Sequence, residues 1–274
     1  ANHRAVDSLP DVRHARVVAR GRLGAGMSEH TPVRAAAPTE EVGDRLPLID
    51  PSKPCIISAW GRKGSGKSVF NRRVFASWPW DKLAIDVNGD ADPGPEAIPV
   101  KADAAGQLPR SFPAAPAGMP GAPAAGPRTL VYRADPGSPT YFDDLDRAVG
   151  MALFPQNHRC LVWCGEVGEF MPHASRIGPH MRRLLMQNRH YNVSALFDGP
   201  RPVNVDPLVL HQSDFVAVFQ LPNPDDRERI AKAIGYPAAR FHAECAETWR
   251  RGEHWFMLWD AGEHQLYRCA PLPV

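Results

Sequence analysis

The chain has 274 residues, enough to bury a sizeable core in one large domain or two small ones. Its net charge of +2 does not mark a nucleic-acid binder in bulk, although a local basic surface is compatible with it. No apolar run approaches the ~18 residues of a membrane span, no secretory leader is visible, and five cysteines at no metal-like spacing argue for reduced, buried thiols in a cytosolic compartment.

In residues 1–50, Arg4, Arg13, Arg16, Arg20 and Arg22 stand among small and polar residues without a sustained apolar period. The stretch is predicted to be a flexible basic arm, a solvated tail more than a contact for nucleic acid or an acidic partner. Met27-Ser-Glu-His reads like a natural start, which would make residues 1–26 an upstream extension. The folded domain is predicted over residues 51–274.

The central feature of that domain is Gly61-Arg62-Lys63-Gly64-Ser65-Gly66-Lys67-Ser68, which fits G-x-x-x-x-G-K-[ST], the phosphate-binding loop of nucleotide triphosphatases. The apolar run 54–60 before it reads as a buried strand. Val69, Phe70, Val74 and Phe75 after it fall at helical spacing. Strand, glycine-rich turn and helix are the context in which backbone N–H groups and a helix N-terminus hold an anion. Gly61, Lys63, Gly64, Ser65, Gly66, Lys67, Ser68 and Val69 are therefore the candidate ATP-binding residues. Lys67 is placed to reach the β- and γ-phosphates, and the Ser68 hydroxyl to bind Mg2+. A glycine- and serine-rich turn preceding a helix by chance is the competing explanation, and both flanks count against it.

Trp78-Pro79-Trp80 closes the helix, and residues 82–90 read as a second strand with acids at its carboxyl end, which makes Asp86 a candidate for the nucleotide or its metal. The Asp86-x-Asn88-x-Asp90-x-Asp92 spacing is similar to a calcium loop but lacks the glutamate at the twelfth position. Residues 102–127 hold six of the 29 prolines and few large apolar residues, and are predicted to be a surface insertion. A strand at 128–133 and a helix from Tyr141 to Leu153 follow, the latter with Asp143 and Asp144 in its first turn.

Residues 159–166 run from apolar to acidic, ending in Gly165-Glu166, with Glu169 close behind. The stretch resembles the acidic strand of additional-strand ATPases, in which four apolar residues precede Asp-Glu. That resemblance implies Glu166 as the general base, acting beside Mg2+, with Gly165 where the Asp would stand. An ordinary buried strand with a capping Glu is the alternative. Beyond it the pattern gives a basic helix from His173 to Tyr191, a strand at 192–197, a helix at 207–212, a strand at 214–221, a helix opened by Asn223, and a β-hairpin from 254–259 and 265–269. Alternating strands and helices imply an α/β fold with a mostly parallel sheet.

From Arg189 to Ile230 the order of motifs resembles the HerA/FtsK superfamily of DNA-pumping ATPases. The residues concerned are Asn188-Arg189-His190, Gly199-Pro200-Arg201-Pro202, Val205-Asp206, Gln212-Ser213-Asp214 and Asn223-Pro224-Asp225-Asp226-Arg227. The resemblance covers residues 52–235. It implies a three-layer, RecA-like P-loop NTPase fold and ATP hydrolysis with Mg2+. It further implies non-specific double-stranded DNA as partner, self-association into a ring, and Arg189 or Arg201 acting on the γ-phosphate, one of them from a neighbouring subunit. The compact size resembles the genome-packaging ATPases of membrane-containing tailless viruses, implying a capsid or portal vertex as a further partner and a cytoplasmic or virion-associated location. Two departures stand out. Gly165 replaces an acidic residue, for which Asp86 or Glu169 are candidate substitutes, and Pro200 replaces the polar sensor, with Asp198 nearby. These departures keep open a second function, an ATP-binding assembly protein without turnover. A small-molecule kinase is a third and poorer fit.

Overall fold

The computed structural model describes residues 40–42 and 49–273, apart from 90, 114–125, 157 and 173–176. It begins with a short strand, β1 (Glu40–Val42), followed by β2 (Ile56–Trp60), which is buried at every position. Burial on both faces is the condition of a central parallel strand. Ile56 and Trp60 join one apolar cluster while Ile57 and Ala59 join the other, as the two-residue period of a strand dictates. The glycine-rich loop leads into α1 (Lys67–Ser77), which stops where Trp78 turns extended ahead of Pro79. Then come β3 (Asp81–Asp86), β4 (Ile98–Pro99), β5 (Thr129–Arg133) and α2 (Tyr141–Leu153).

The second half opens with β6 (Cys160–Cys164), the single turn α3 (Val167–Phe170), α4 (Pro179–Tyr191) and β7 (Val193–Gly199). Asp206 caps α5 (Pro207–Gln212) by accepting from the Leu208 N–H, and β8 (Phe215–Val218) follows. Asn223 caps α6 (Pro224–Ala233) by accepting from the Asp225 N–H. α7 (Ala238–Arg250) occupies a stretch for which the sequence suggested no element, yet Phe241, Cys245 and Thr248 fall on one buried helical face. β9 (Phe256–Asp260) and β10 (Gln265–Cys269) form the predicted hairpin.

All strands share one sheet in the order β1-β10-β9-β8-β2-β7-β6-β3-β5-β4. From β8 to β4 neighbours run parallel, β9 is antiparallel to β8 and β10, and β1 pairs parallel with β10. On one face α1 packs Phe70, Val74 and Phe75 against Ile57, Leu161 and Leu196. On the other, α2, α4, α5, α6 and α7 cover Ile56, Leu83, Val162 and Val216. This is the predicted three-layer RecA-like arrangement.

Several boundaries differ from expectation: α4 begins at Pro179 and not at His173, with 173–176 outside the described residues, and β3 and β8 end earlier, at Asp86 and Val218. Glu40–Val42, inside the predicted arm, aligns with Tyr267–Cys269 as an edge strand, because β10 would otherwise leave a row of backbone groups unpaired. Residues 1–39 and 43–48 lie outside the described residues. Within the predicted insertion, Leu108 and Phe112 are buried in the core, and the Phe112 N–H donates to the Phe154 carbonyl at 2.7 Å. Its remaining stretch, 114–125, also lies outside the described residues, as does Asp90. The chain returns to the sheet at Arg128, whose N–H and guanidinium donate to the two Asp81 carboxylate oxygens at 2.6 and 2.8 Å. His158 Nε2 lies 2.8 Å from the same carboxylate. All five cysteines are free and buried, and burial pushes the thiols of Cys55, Cys245 and Cys269 up to about 12.

Candidate functional site

β2 delivers the chain to Gly61 at the carboxyl end of the sheet, where open α/β sheets bind ligands. The loop is moored to both neighbouring strands: Gly61 N–H donates to the Gly199 carbonyl at 3.3 Å and Arg62 N–H to the Gln220 carbonyl at 2.9 Å. Space dictates the first glycine, since a Cβ at Gly61 would stand 2.6 Å from Phe219 Cβ. Backbone conformation dictates another, because Gly66 has φ 105° at the entry to α1. No acidic residue occupies the first turn of α1, so the positive end of its dipole is not offset from within. Lys67 Nζ donates to the carbonyls of Gly61 at 2.5 Å and Arg62 at 3.2 Å, holding its charge in the mouth of the loop.

Around this loop opens a cavity of about 820 Å3. Lys63, Gly64, Gly66, Lys67, Ser68 and Val69 line it, and across from them stand Gly165, Glu166, Asp198 and Pro200. Gly61 and Ser65 shape the loop from beneath: Ser65 is buried, and its Oγ would crowd any Cβ at Gly61 to 2.8 Å. Glu166, at the end of β6, has the left-handed backbone φ 55°, ψ 66°. For a residue with a Cβ that costs about 1–2 kcal/mol, and it coincides with a carboxylate placed on the cavity wall.

The two candidate substitutes for the missing acid lie elsewhere. Asp86, at the end of β3, is buried; its Oδ1 accepts from the N–H groups of Gly89 and Ala91 at 2.8 and 3.3 Å, and Oδ2 lies 3.6 Å from Arg133 Nε. It ties down the loop after β3 and does not line the cavity, which that loop reaches through Asn88 and Ala91. Glu169 accepts from the Tyr141 hydroxyl at 3.3 Å in a separate hollow. Burial, with the nearby Glu169 charge, pushes Tyr141 up to about 12.

The two candidate arginines separate in the same way. Arg189, at the end of α4, pairs with Asp214 at 2.8 Å. Asp214 also accepts from the Ile56 N–H, at the amino end of β2, so Arg189 sits at the end of the sheet opposite its own phosphate loop. Arg201 is at the correct end, one residue past Pro200, but its Nε donates to the buried Asp226 at 3.1 Å.

Sequence reasoning gave no role to four residues that the fold brings to the cavity: Arg72, Trp163, Asp198 and His254. Trp163 Nε1 and Asn71 Nδ2 both donate to Asp198 Oδ2, at 2.9 and 2.6 Å. His254 has φ 65° and arrives from the link between α7 and β9, close enough that a Cβ at Gly66 would meet its own Cβ at 3.4 Å. The one available signal was an acid ending the otherwise apolar run of β7, which marks Asp198; His254 had none, because the link that carries it is placed by the hairpin.

The cavity suits a nucleoside triphosphate with Mg2+. It combines a backbone cradle, a lysine for phosphate and the Ser68 hydroxyl with Glu166 and Asp198, hard oxygen donors, on the facing wall. Among the described residues no group of three or more His, Cys, Asp and Glu could hold a metal alone. Mg2+ takes one or two protein carboxylates and completes its shell with phosphate oxygens and water. Nor, among the described residues, is any helix long and apolar enough to cross a membrane.

No family model and no curated protein matches the chain. Solved structures do. The genome-packaging NTPase B204 from Sulfolobus turreted icosahedral virus 2, in complex with sulfate, aligns at a TM-score of 0.58 and 18% identity, covering 82% of this chain and 99% of that one. Its complex with AMP aligns at 0.56 and 17%, covering 82% and 100%. B204 from Sulfolobus turreted icosahedral virus, described as a DNA-packaging ATPase, aligns at 0.56 and 16%, covering 81% and 100%. The similarity is one of fold, and it agrees with the superfamily resemblance carried by the motifs: the chain has the RecA-like P-loop NTPase fold on which these viral genome-packaging NTPases are built.

Proposed function

We propose that the chain is an ATP-hydrolysing DNA translocase of the HerA/FtsK type, a subunit of a ring-shaped motor that packages a viral genome. The observation that carries this is the convergence of Lys67, Ser68 and Glu166 on one cavity at the carboxyl end of the sheet. The loop backbone and Lys67 bind the triphosphate; phosphate oxygens replace the Gly61 and Arg62 carbonyls as acceptors for Nζ. Mg2+, when bound with the nucleotide, neutralises charge developing on the β- and γ-phosphates. Ser68 and the facing carboxylates are the groups that would hold it. Glu166 accepts a proton from the attacking water and orients it toward the γ-phosphate. Arg201, released from Asp226, is the arginine nearer the chain's own nucleotide, and Arg189 acts only from a neighbouring subunit. DNA is gripped through its phosphates without sequence preference.

ATP turnover, measured with and without double-stranded DNA beside the oligomeric mass, tests this. DNA should stimulate turnover severalfold in a ring-sized assembly, and Lys67→Ala should abolish it. Equal rates with and without DNA would remove the translocase assignment. Gly165 and Pro200, both on the cavity wall, favour the second function, an ATP-binding assembly protein without turnover. Tight ATP binding with no hydrolysis, unaffected by Glu166→Gln, would select it.

A further inference from the structure

We propose that Asp198 supplies the metal-facing carboxylate that Gly165 lacks, so that the site is completed from β7 instead of β6. The inference rests on the assignment of the cavity to ATP and concerns which side chain faces its Mg2+. Trp163 and residue 165 point to the same side of the β6 line, two positions apart. A Cβ at Gly165 would stand 4.0 Å from Trp163 Nε1 and 3.8 Å from the Ile85 carbonyl. That same indole nitrogen donates to Asp198 Oδ2 at 2.9 Å. Asp198 Oδ2 and a Cβ at 165 thus both lie within 4.0 Å of one indole nitrogen.

Asp198 is also held as a positioned ligand would be. One oxygen, Oδ2, takes both the Trp163 and the Asn71 hydrogen bonds, while Oδ1 lies 3.5 Å from the Glu166 N–H. Asn71 belongs to α1, three residues past Ser68, so the helix that presents the serine hydroxyl also orients the carboxylate. Partners that fix a ligating carboxylate commonly change metal affinity 10- to 100-fold when removed. Asp86 and Glu169 are excluded as substitutes by their own contacts, with Gly89, Ala91 and Arg133 in one case and Tyr141 in the other.

Asp198→Asn separates the charge from the scaffold, because an amide oxygen can still accept from Asn71 and Trp163. The experiment titrates Mn2+ by electron paramagnetic resonance into the full-length protein with ATPγS, and measures ATPγS affinity in EDTA and in Mg2+, with a thermal scan of each variant. In Asp198→Asn, Mn2+ affinity should fall about tenfold or more with metal-free ATPγS binding unchanged, and adding Gly165→Asp to it should restore the loss. An Asp198→Asn titration that overlays wild type overturns the proposal. Gly165→Asp alone does not depend on the Asp198 variant folding. If Asp198 already serves, it should change Mn2+ affinity less than about threefold, whereas tightening near tenfold would show wild type lacking the group and overturn the proposal. Failure of wild type to bind ATPγS at all would instead refute the ATP assignment and this inference with it.

Discussion

Gly66 shows how narrowly the phosphate loop is specified. Its φ of 105° is closed to most side chains, and Phe219 Cε1 and His254 Cβ stand 3.3 and 3.4 Å from where a Cβ would go. Gly66→Ala should fold but lose roughly 1–2 kcal/mol of stability from the left-handed backbone, seen as a lower urea midpoint. Its nucleotide affinity should drop at least tenfold, because the N–H groups that follow it are re-aimed. A variant with wild-type affinity would mean that the loop backbone is not the phosphate cradle. Glu166 carries the same kind of strain with a side chain attached, and there the conformation places a carboxylate on the cavity wall.

At the level of elements, the termini of the sheet divide the labour. The carboxyl ends hold the cavity, and the amino ends hold the network of Asp81, Arg128 and His158 that fixes β3 beside β5 and β6. Burial alone would raise the Asp81 pKa, but hydrogen bonds from the Arg128 backbone and guanidinium and from His158 outweigh it, so the carboxyl sits below its ordinary value. A depressed carboxylate stabilises the fold above its unfolded pKa and loses that contribution as pH falls through the folded one. Asp81→Asn should therefore cost about 2 kcal/mol at pH 7, a gap that narrows below about pH 4 when urea melts are compared at the two pH values. A gap that widened in acid would contradict the assignment.

These same elements show what the sequence could convey. The ranges of α2 and α5 are legible to the residue, since Asp143, Asp144 and Pro207 mark their starts and the apolar positions keep helical period. Glu166 and Lys67 are legible because each follows a recognisable strand-to-turn pattern. α7 is not legible because its buried face mixes Phe241 with Cys245 and Thr248, a weak apolar signal. Asp198 is legible only as a neighbour of the altered sensor position, since its importance comes from Trp163 on β6 and Asn71 on α1, which are distant in sequence and meet it only in the fold. Arg189 has the right motif position, but motif order does not report which end of the sheet a helix terminus reaches.

For the whole molecule, the position of Arg189 makes an arrangement between subunits testable. It pairs with Asp214 beneath the amino end of β2, so Arg189→Ala should leave ATPγS affinity unchanged in an isolated subunit. If it lowers turnover, it should do so only in assembled protein, and mixing it with Lys67→Ala subunits should then recover part of the activity. A loss of affinity in the monomer would place the arginine in its own site. The fold thus places the cavity of each chain at one end of the sheet and Arg189 at the other.

The Arg128 guanidinium also donates to the Pro113 carbonyl, so the two stubs of the 114–125 stretch meet beside the amino end of β5. The closeness of the stubs makes the join between them a natural graft point. Each doubling of the length carried between them adds only about 0.6 kcal/mol of closure entropy, and both stubs lie at the amino end of β5, opposite the sheet end that bears the phosphate loop. A fluorescent reporter or a purification handle spliced between these stubs should therefore leave nucleotide binding unchanged.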